Sequence, residues 1–219
     1  GVAAPGVQAG ERAVGGPCWG RRECGVAAGA ARREADSGNR CGDSYESFYD
    51  GRGGYVAVRS DGMGQGTRAA VDSTLAVALF TKLCKAGVQF HSALRLVNAA
   101  LMLKSAEESL ATLDVLRIDL YSGKAEFYKA GAAKSLLLRG NACREIKRAS
   151  LPAGILKEAR FAVAAGKLLD GDLAVLASDV AFHADERALR RALPAILSTP
   201  CDQLPGRPFA IPLHTTTPP

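Results

Sequence analysis

The spacing of apolar and polar positions changes several times along this chain of 219 residues. YESFYD (45–50) and YVAVRS (55–60) are short runs rich in aromatic and β-branched residues, and GRGG (51–54) between them predicts a hairpin. GVAAGAAR (25–32) reads as an earlier strand. The pattern then turns helical. Val71, Leu75, Leu79 and Leu83 recur every four residues, with Ala76 and Phe80 widening the stripe, until Gly87 ends the helix. A second helix carries Leu94, Val97 and Leu101 on one face. Strands resume with LDVLRIDLY (113–121), a turn at Ser122-Gly123 and KAEFYKA (124–130). KSLLLR (134–139) turns at Gly140-Asn141 into CREIKR (143–148). Residues 159–168 read as a further strand, and Asp170-Gly171-Asp172 turns into LAVLAS (173–178). ADERALRRAL (184–193) reads as a final helix, up to Pro194.

Strands joined mainly by short turns, with two helices inserted together, predict antiparallel sheets with segregated helices. That is an α+β architecture and not a repeating βαβ one. Residues 1–24 are Gly- and Ala-rich without period and read as a linker or disordered segment. Residues 198–219 hold six prolines and are expected to be a disordered tail outside any sheet, because proline removes ladder donors. The domain proper is then 25–197.

Composition narrows this picture modestly. Hydrophobic residues make up 47% and charged residues 23%, enough for a core. Aromatics are only 6%, so that core is mainly Ala, Leu and Val. The net charge of +6 is spread over the chain without an aromatic-interleaved basic stripe, which argues for a solvated surface and against nucleic-acid binding. The six cysteines form no CxxC pair and the three histidines (91, 183, 214) have no ligand spacing. A reducing compartment fits better than a disulfide framework, and zinc is not expected. Cys84 reads as a core residue and His91 as a helix-start residue. No apolar run reaches the length of a membrane span, so a membrane anchor is expected only upstream of Gly1.

The chemistry concentrates in RSDGMGQGTRAA (59–70), which follows an apolar strand and opens a helix. Three readings compete. Asp61 can be an ordinary helix cap or turn residue. The glycines can cradle a nucleotide phosphate, but Gly62, Gly64 and Gly66 put the third glycine one residue early for G-x-G-x-x-G, and no acid occurs between Asp72 and Glu107. No Gly-Lys-Ser/Thr follows, so a P-loop fails too. Alternatively Asp61 is a metal ligand. Asp43, in CGDSY (41–45), begins one candidate strand, and Asp179 ends another, LAVLASD (173–179). Three aspartates at strand ends can converge on one sheet edge. Hard divalent cations take carboxylate, carbonyl and water oxygens, and close-approach glycines let a carbonyl reach the ion.

CGDSY, SDGMGQG, VNAALMLKS (97–105), ATLDVLRIDLYSGKAEFYKAGAAKSLLLRG (111–140), LPAGIL (151–156) and LDGDLAVLASD (169–179) occur in one order. Together they resemble the phosphatase domain of the stage II sporulation protein E (SpoIIE) family, one of the metal-dependent type 2C serine/threonine phosphatases. The resemblance covers residues 25–180. It implies two packed antiparallel sheets flanked by helices, with two Mn²⁺ or Mg²⁺ ions at one edge. Asp61 matches the family's bridging ligand, the Gly62 carbonyl a ligand to one ion, Asp43 the acidic position beside it, and Asp179 a ligand to the other ion. Two such ions, on the order of 4 Å apart, lower the pKa of a bridging water that attacks phosphorus in line. Asp61 and Asp179 are thus the implied catalytic residues.

The resemblance also implies that the helices within 66–104 act as a regulatory switch and a possible homodimer contact. The implied substrate is the phosphoserine form of an anti-sigma-factor antagonist during bacterial sporulation, met by a cytoplasmic domain. This sequence departs from the family at Ser178-Asp179-Val180, where the family has glycine after the aspartate. Downstream there is no Asp-Asp pair opening a last core strand, only Asp185 and Asp202. The sequence therefore predicts a domain incomplete at its C-terminus. A Mn²⁺-dependent phosphoserine phosphatase, a non-catalytic remnant that keeps the helical hairpin as an interaction module, and a nucleotide-binding domain are the three functions to weigh. No phosphate-clamping arginine is identified; Arg32 and Arg40 lie near the right segment without a motif.

Overall fold

A computed structural model of the chain describes residues 24–26, 42–64, 66–104, 110–140, 142–157, 161–177 and 209–215. Two five-stranded antiparallel sheets face each other. In the first, β2 (Asp43–Tyr49), β3 (Gly54–Asp61), β4 (Leu113–Asp119), β5 (Lys124–Ala130) and β8 (Ala162–Lys167) lie in that order. In the second the order is β1 (Cys24–Val26), β10 (Phe209–Thr215), β9 (Leu173–Leu176), β6 (Ser135–Arg139) and β7 (Ala142–Ile146). The expected α+β architecture is what the chain adopts.

The expected β2–β3 and β4–β5 hairpins close as their turn residues dictate, whereas the turn at 170–172 carries the chain from β8 in the first sheet to β9 in the second. Gly123 takes φ 69° in the β4–β5 turn, a conformation that side chains with a Cβ rarely adopt. Asp119 Oδ1 there accepts from the Tyr121 N–H, the Ser122 N–H and the Ser122 hydroxyl. In the β2–β3 turn Asp50 Oδ1 accepts from the Arg52 and Gly54 N–H groups, each at 2.8 Å.

Alternation then sorts the first sheet's residues between two cores. On one face Val56, Val58, Leu113 and Val115 pack beneath α1 (Gly66–Lys85) and α2 (Phe90–Lys104), whose Phe80, Leu94, Val97 and Leu101 are buried. On the other, Tyr55, Ala57, Leu116, Ile118 and Phe127 meet Leu137, Ile146, Ala174 and Leu176 of the second sheet.

Two expectations need correcting. The predicted stripe on α1 is buried only in part: Ala76 and Phe80 are fully buried, Leu75, Leu79 and Leu83 pack half-buried against the core, and Val71 is 47% exposed. Ala69, Asp72, Ser73, Val77, Thr81 and Cys84 complete the buried side of the helix. Two of its polar residues are satisfied there, because Asp72 pairs with Lys104 of α2 and the Ser73 hydroxyl bonds to Ser44 of β2.

The second correction concerns the C-terminal segment, expected to hold no strand. Residues 209–215 form β10, which pairs antiparallel with β9 from Phe209↔Leu176 to Pro212↔Leu173. Its other neighbour, β1, pairs only from Leu213 to Thr215. Pro212 therefore sits where one ladder ends and the other has not begun, so its missing N–H is tolerated. The rest of the segment, the helix expected over 184–193 and most of 1–24 lie outside the described residues.

Candidate metal centre

β2 and β3 run antiparallel so that Asp43 and Asp61 stand directly opposite each other at one end of the first sheet. The pairing continues one step further, where the Gly62 N–H donates to the Gly42 carbonyl at 3.1 Å. Asp61 is held from its other side as well. The Thr112 N–H donates to the Asp61 carbonyl (2.8 Å), and the Asp61 N–H donates to Thr112 Oγ1 (2.9 Å). The Ser60 hydroxyl bonds to the Thr112 carbonyl at 2.7 Å. These bonds fix the backbone from which the Asp61 carboxylate projects. Gly62 then bridges to Ala111, and Ala111 to Ala153, extending the ladder past the strands proper.

Glycine at 62 has a steric cause. A Cβ there would lie 1.9 Å from the Ala69 carbonyl oxygen and 2.5 Å from its carbon, so α1 rests directly on the Gly62 backbone. Ser44, next to Asp43, is tied to the same helix through the hydroxyls of Ser73 and Thr74, each at 3.0 Å. Gly42 completes the cradle. The position its Cβ would take lies 3.4 Å from Asp61 Oδ1 and 3.4 Å from the Gly62 carbonyl oxygen, so both oxygens border the same small space. A carboxylate and a backbone carbonyl facing a gap left by glycine form a hard-oxygen donor set that suits Mg²⁺ or Mn²⁺.

The charges around this end are organised. Arg59 Nη2 donates to Asp43 Oδ1 at 2.7 Å and orients that carboxylate from within the sheet. Asp114 is the partner of Arg59 on β4, and Lys129 the partner of Asp114 on β5. Lys129 and Asp114 are fully buried, and the ammonium donates to Asp114 Oδ1 at 2.8 Å. Burial pulls the Lys129 ammonium below its ordinary range, with Asp114 acting in the opposite direction.

The structure thus brings Asp43, Asp61 and Gly62 together as expected. Asp179, like Arg32 and Arg40, lies outside the described residues. Among the described residues no three His, Cys, Asp or Glu side chains gather as a complete metal cluster. The strand that leads toward Asp179, β9, pairs its last residue Leu176 with Ser135, whose hydroxyl donates to Asp114. It therefore ends over the same charged corner.

Sequence reasoning missed Gly42, Arg59 and Thr112. An arginine inside the apolar run YVAVRS was the available signal for Arg59; Thr112 and Gly42 carried none, because their roles depend on register. The glycine loop offers little to a nucleotide: the Gly62 N–H is already used by Gly42, that of Met63 by the Leu110 carbonyl, and the sheet is antiparallel.

Comparison with known proteins shows the family and the fold. A sequence model described as stage II sporulation protein E (SpoIIE) matches residues 51–203, a stretch that includes Asp61, Gly62 and Asp179 but begins after Asp43. The chain is 34% identical over 158 residues to the stage II sporulation protein E of Bacillus subtilis (strain 168), which is 72% of this chain and 19% of that protein. It is 32% identical over 158 residues to that of Priestia megaterium, 72% of this chain and 27% of the relative. The chain therefore spans well under half the length of the curated relatives it matches. The solved PP2C phosphatase domain of SpoIIE from Bacillus subtilis, with a fragment of its regulatory domain, has the same fold. Its TM-score is 0.73 at 26% identity, covering 90% of this chain and 66% of that one.

Proposed function

We propose, because this chain belongs to the stage II sporulation protein E family, that it is a serine/threonine protein phosphatase domain that removes phosphate from phosphoserine with the help of Mn²⁺ or Mg²⁺. The observation that carries the reading is the shared space beside Gly42, bordered by Asp61 Oδ1 and the Gly62 carbonyl. Bound there, divalent cations supply an activated water and neutralise phosphoryl charge.

The chain's own residues would do the rest. Asp61 would contribute its carboxylate and Gly62 its carbonyl, with the backbone of both fixed by Thr112 and Gly42. Asp43 would stand beside them with one oxygen engaged by Arg59. Asp179 would supply a further carboxylate. No protein nucleophile is needed for this chemistry.

The family suggests the phosphoserine form of an anti-sigma-factor antagonist as substrate, with α1 and α2 as the element that couples activity to partner contacts or dimerisation. The close seat of Ala69 on Gly62 supports that coupling, since any shift of α1 is felt at the carbonyl.

The test is Mn²⁺-dependent hydrolysis of a phosphoserine protein by this chain beside Asp61→Asn. Activity that needs Mn²⁺ and vanishes in the variant is the expected result. A cooperatively melting protein without activity would instead favour an interaction module built on the helical hairpin.

A further inference from the structure

The core between the two sheets is apolar in its middle and charged at both ends. At one end Arg139 of β6 forks onto Asp172 and reaches the Lys167 carbonyl of the first sheet at 2.9 Å. This clamp is partly open to solvent, with the Arg139 side chain 50% exposed.

The other end, beside Asp43 and Asp61, is closed by a cluster with no access to water. Lys129 Nζ donates to Asp114 Oδ1 (2.8 Å), the Ala133 carbonyl (2.6 Å) and Ser135 Oγ (2.8 Å), and Ser135 Oγ donates to Asp114 Oδ2 (2.9 Å). All three ammonium protons and both carboxylate oxygens are thereby used. Burying such a pair is costly, and an apolar replacement of similar volume is often neutral or stabilising. Stability alone therefore gives no reason for the cluster.

Its connections give one. Asp114 and Lys129 belong to the first sheet, where Asp114 lies opposite Arg59, the partner of Asp43. Ser135 belongs to the second sheet, opposite Leu176 at the end of β9. From there the sequence runs three residues on to Asp179. The Ser135 hydroxyl is thus the link between the strand pair that carries Asp43 and Asp61 and the strand that leads toward Asp179.

We propose that Lys129, Asp114 and Ser135 form a positioning triad that sets the spacing of the two sheets at this end, and with it the placement of Asp43 and Asp61 relative to the end of β9. This inference rests on the metal-dependent reading of the site. None of the three is a catalytic residue: they act through Asp43, Asp61 and the end of β9.

The test replaces the triad by an apolar set, Asp114→Leu with Lys129→Met and Ser135→Ala, in the full chain. Two readouts are compared: the thermal midpoint, and Mn²⁺ affinity by calorimetry. A purely structural role moves both together. A positioning role leaves the midpoint unchanged or raised while Mn²⁺ affinity falls by about tenfold or more, as for other residues that orient metal ligands. Amide exchange over 134–137 and 173–177, read without metal, should rise in the variant. Should the triple variant not fold, Ser135→Ala cuts only the link between the sheets and answers the same question. A wild type that binds Mn²⁺ and a folded variant that binds it equally well, with unchanged exchange, would overturn the triad's role alone. A wild type that binds no Mn²⁺ would overturn both this role and the metal reading.

Discussion

The contact between Gly62 and α1 can be tested by adding one methyl group. In Gly62→Ala the new Cβ would sit 1.9 Å from the Ala69 oxygen, 2.5 Å from its carbon and 2.7 Å from its Cα. The obstacle is backbone, so no rotamer change relieves it. Either α1 retreats by about 1 Å, or the Gly62 loop does, and overpacking of this kind costs about 1–3 kcal/mol. Gly62 has no positive φ, so the penalty is steric and not conformational. For a chain of this size about 1 kcal/mol moves Tm by about 2–4 °C, so a fall of roughly 3–10 °C is expected by scanning calorimetry. The larger effect is at the site. A displacement of about 1 Å can cost on the order of a hundredfold in rate, and Mn²⁺ affinity should fall with it. Gly166→Ala is the control, because its Cβ would meet nothing within 4 Å and its φ is unremarkable; it should be neutral or slightly stabilising. If Gly62→Ala kept wild-type Tm and wild-type Mn²⁺ affinity, the claim that α1 rests on this glycine would be wrong.

Three further outcomes follow from local chemistry. Asp119→Ala should lower Tm by several degrees at neutral pH, because the carboxylate accepts three hydrogen bonds in the β4–β5 turn. The Ser122 N–H bond, above all, holds the Asp119 carboxyl below the ordinary value of 3.8. The wild-type advantage should therefore be complete above that value and shrink as pH falls through the lowered one; an unchanged gap in acid melts would refute the assignment. Cys84 is buried, and burial pushes its thiol up to about 11 from 9.0. Between those values an unfolded chain ionises while the folded one stays protonated, so stability should fall as pH rises, with a slope Cys84→Ala removes. At neutral pH, peptide mapping after alkylation of the native protein should find Cys143 labelled and Cys84 spared, since only the former is partly exposed.

The elements most legible in the sequence were those whose punctuation and period agreed. The β2–β3 and β4–β5 hairpins carry alternating runs closed by glycine turns, and their observed bounds differ from the reading by only a residue or two. α1 was located correctly, and Ala76 and Phe80 of the expected stripe are buried, but its leucines are only half-buried and Val71 is exposed. The sheet surface also accepts small residues and paired polar ones, and the leucines lie along the flank. β10 was hidden by its prolines, although Phe209, Ile211 and Leu213 keep the alternation of a strand. What permitted it was register: Pro212 falls between two ladders, and register is a property of partners that no local pattern reveals. The same limit explains the site. Asp43, Asp61 and Gly62 stood out by motif, whereas Arg59 and Thr112 act only because β2, β3 and β4 align them.

β10 also changes the weight of the remnant reading. That reading rested partly on a missing last core strand, whose loss would leave ladder groups and apolar surface uncovered on its neighbours. Instead β9 is paired on both sides, with β6 and with β10, and all four of its residues are buried. A strand held on both sides is a rigid base for whatever follows it. On the opposite sheet, β3 is paired along its length by β2 and β4 and ends at Asp61. β3 ends at Asp61 and β9 ends three residues before Asp179, so the two interior strands that lead to these candidate ligands lie one in each sheet. The two sheets are held together by the packing of Leu116 and Phe127 against Leu137 and Leu176, and by the buried Lys129 corner. A site assembled across two sheets in this way depends on the sandwich as a whole, so loss of metal binding by substitutions deep in the inter-sheet core is the behaviour that a preserved enzyme core, and not an isolated helical hairpin, would show.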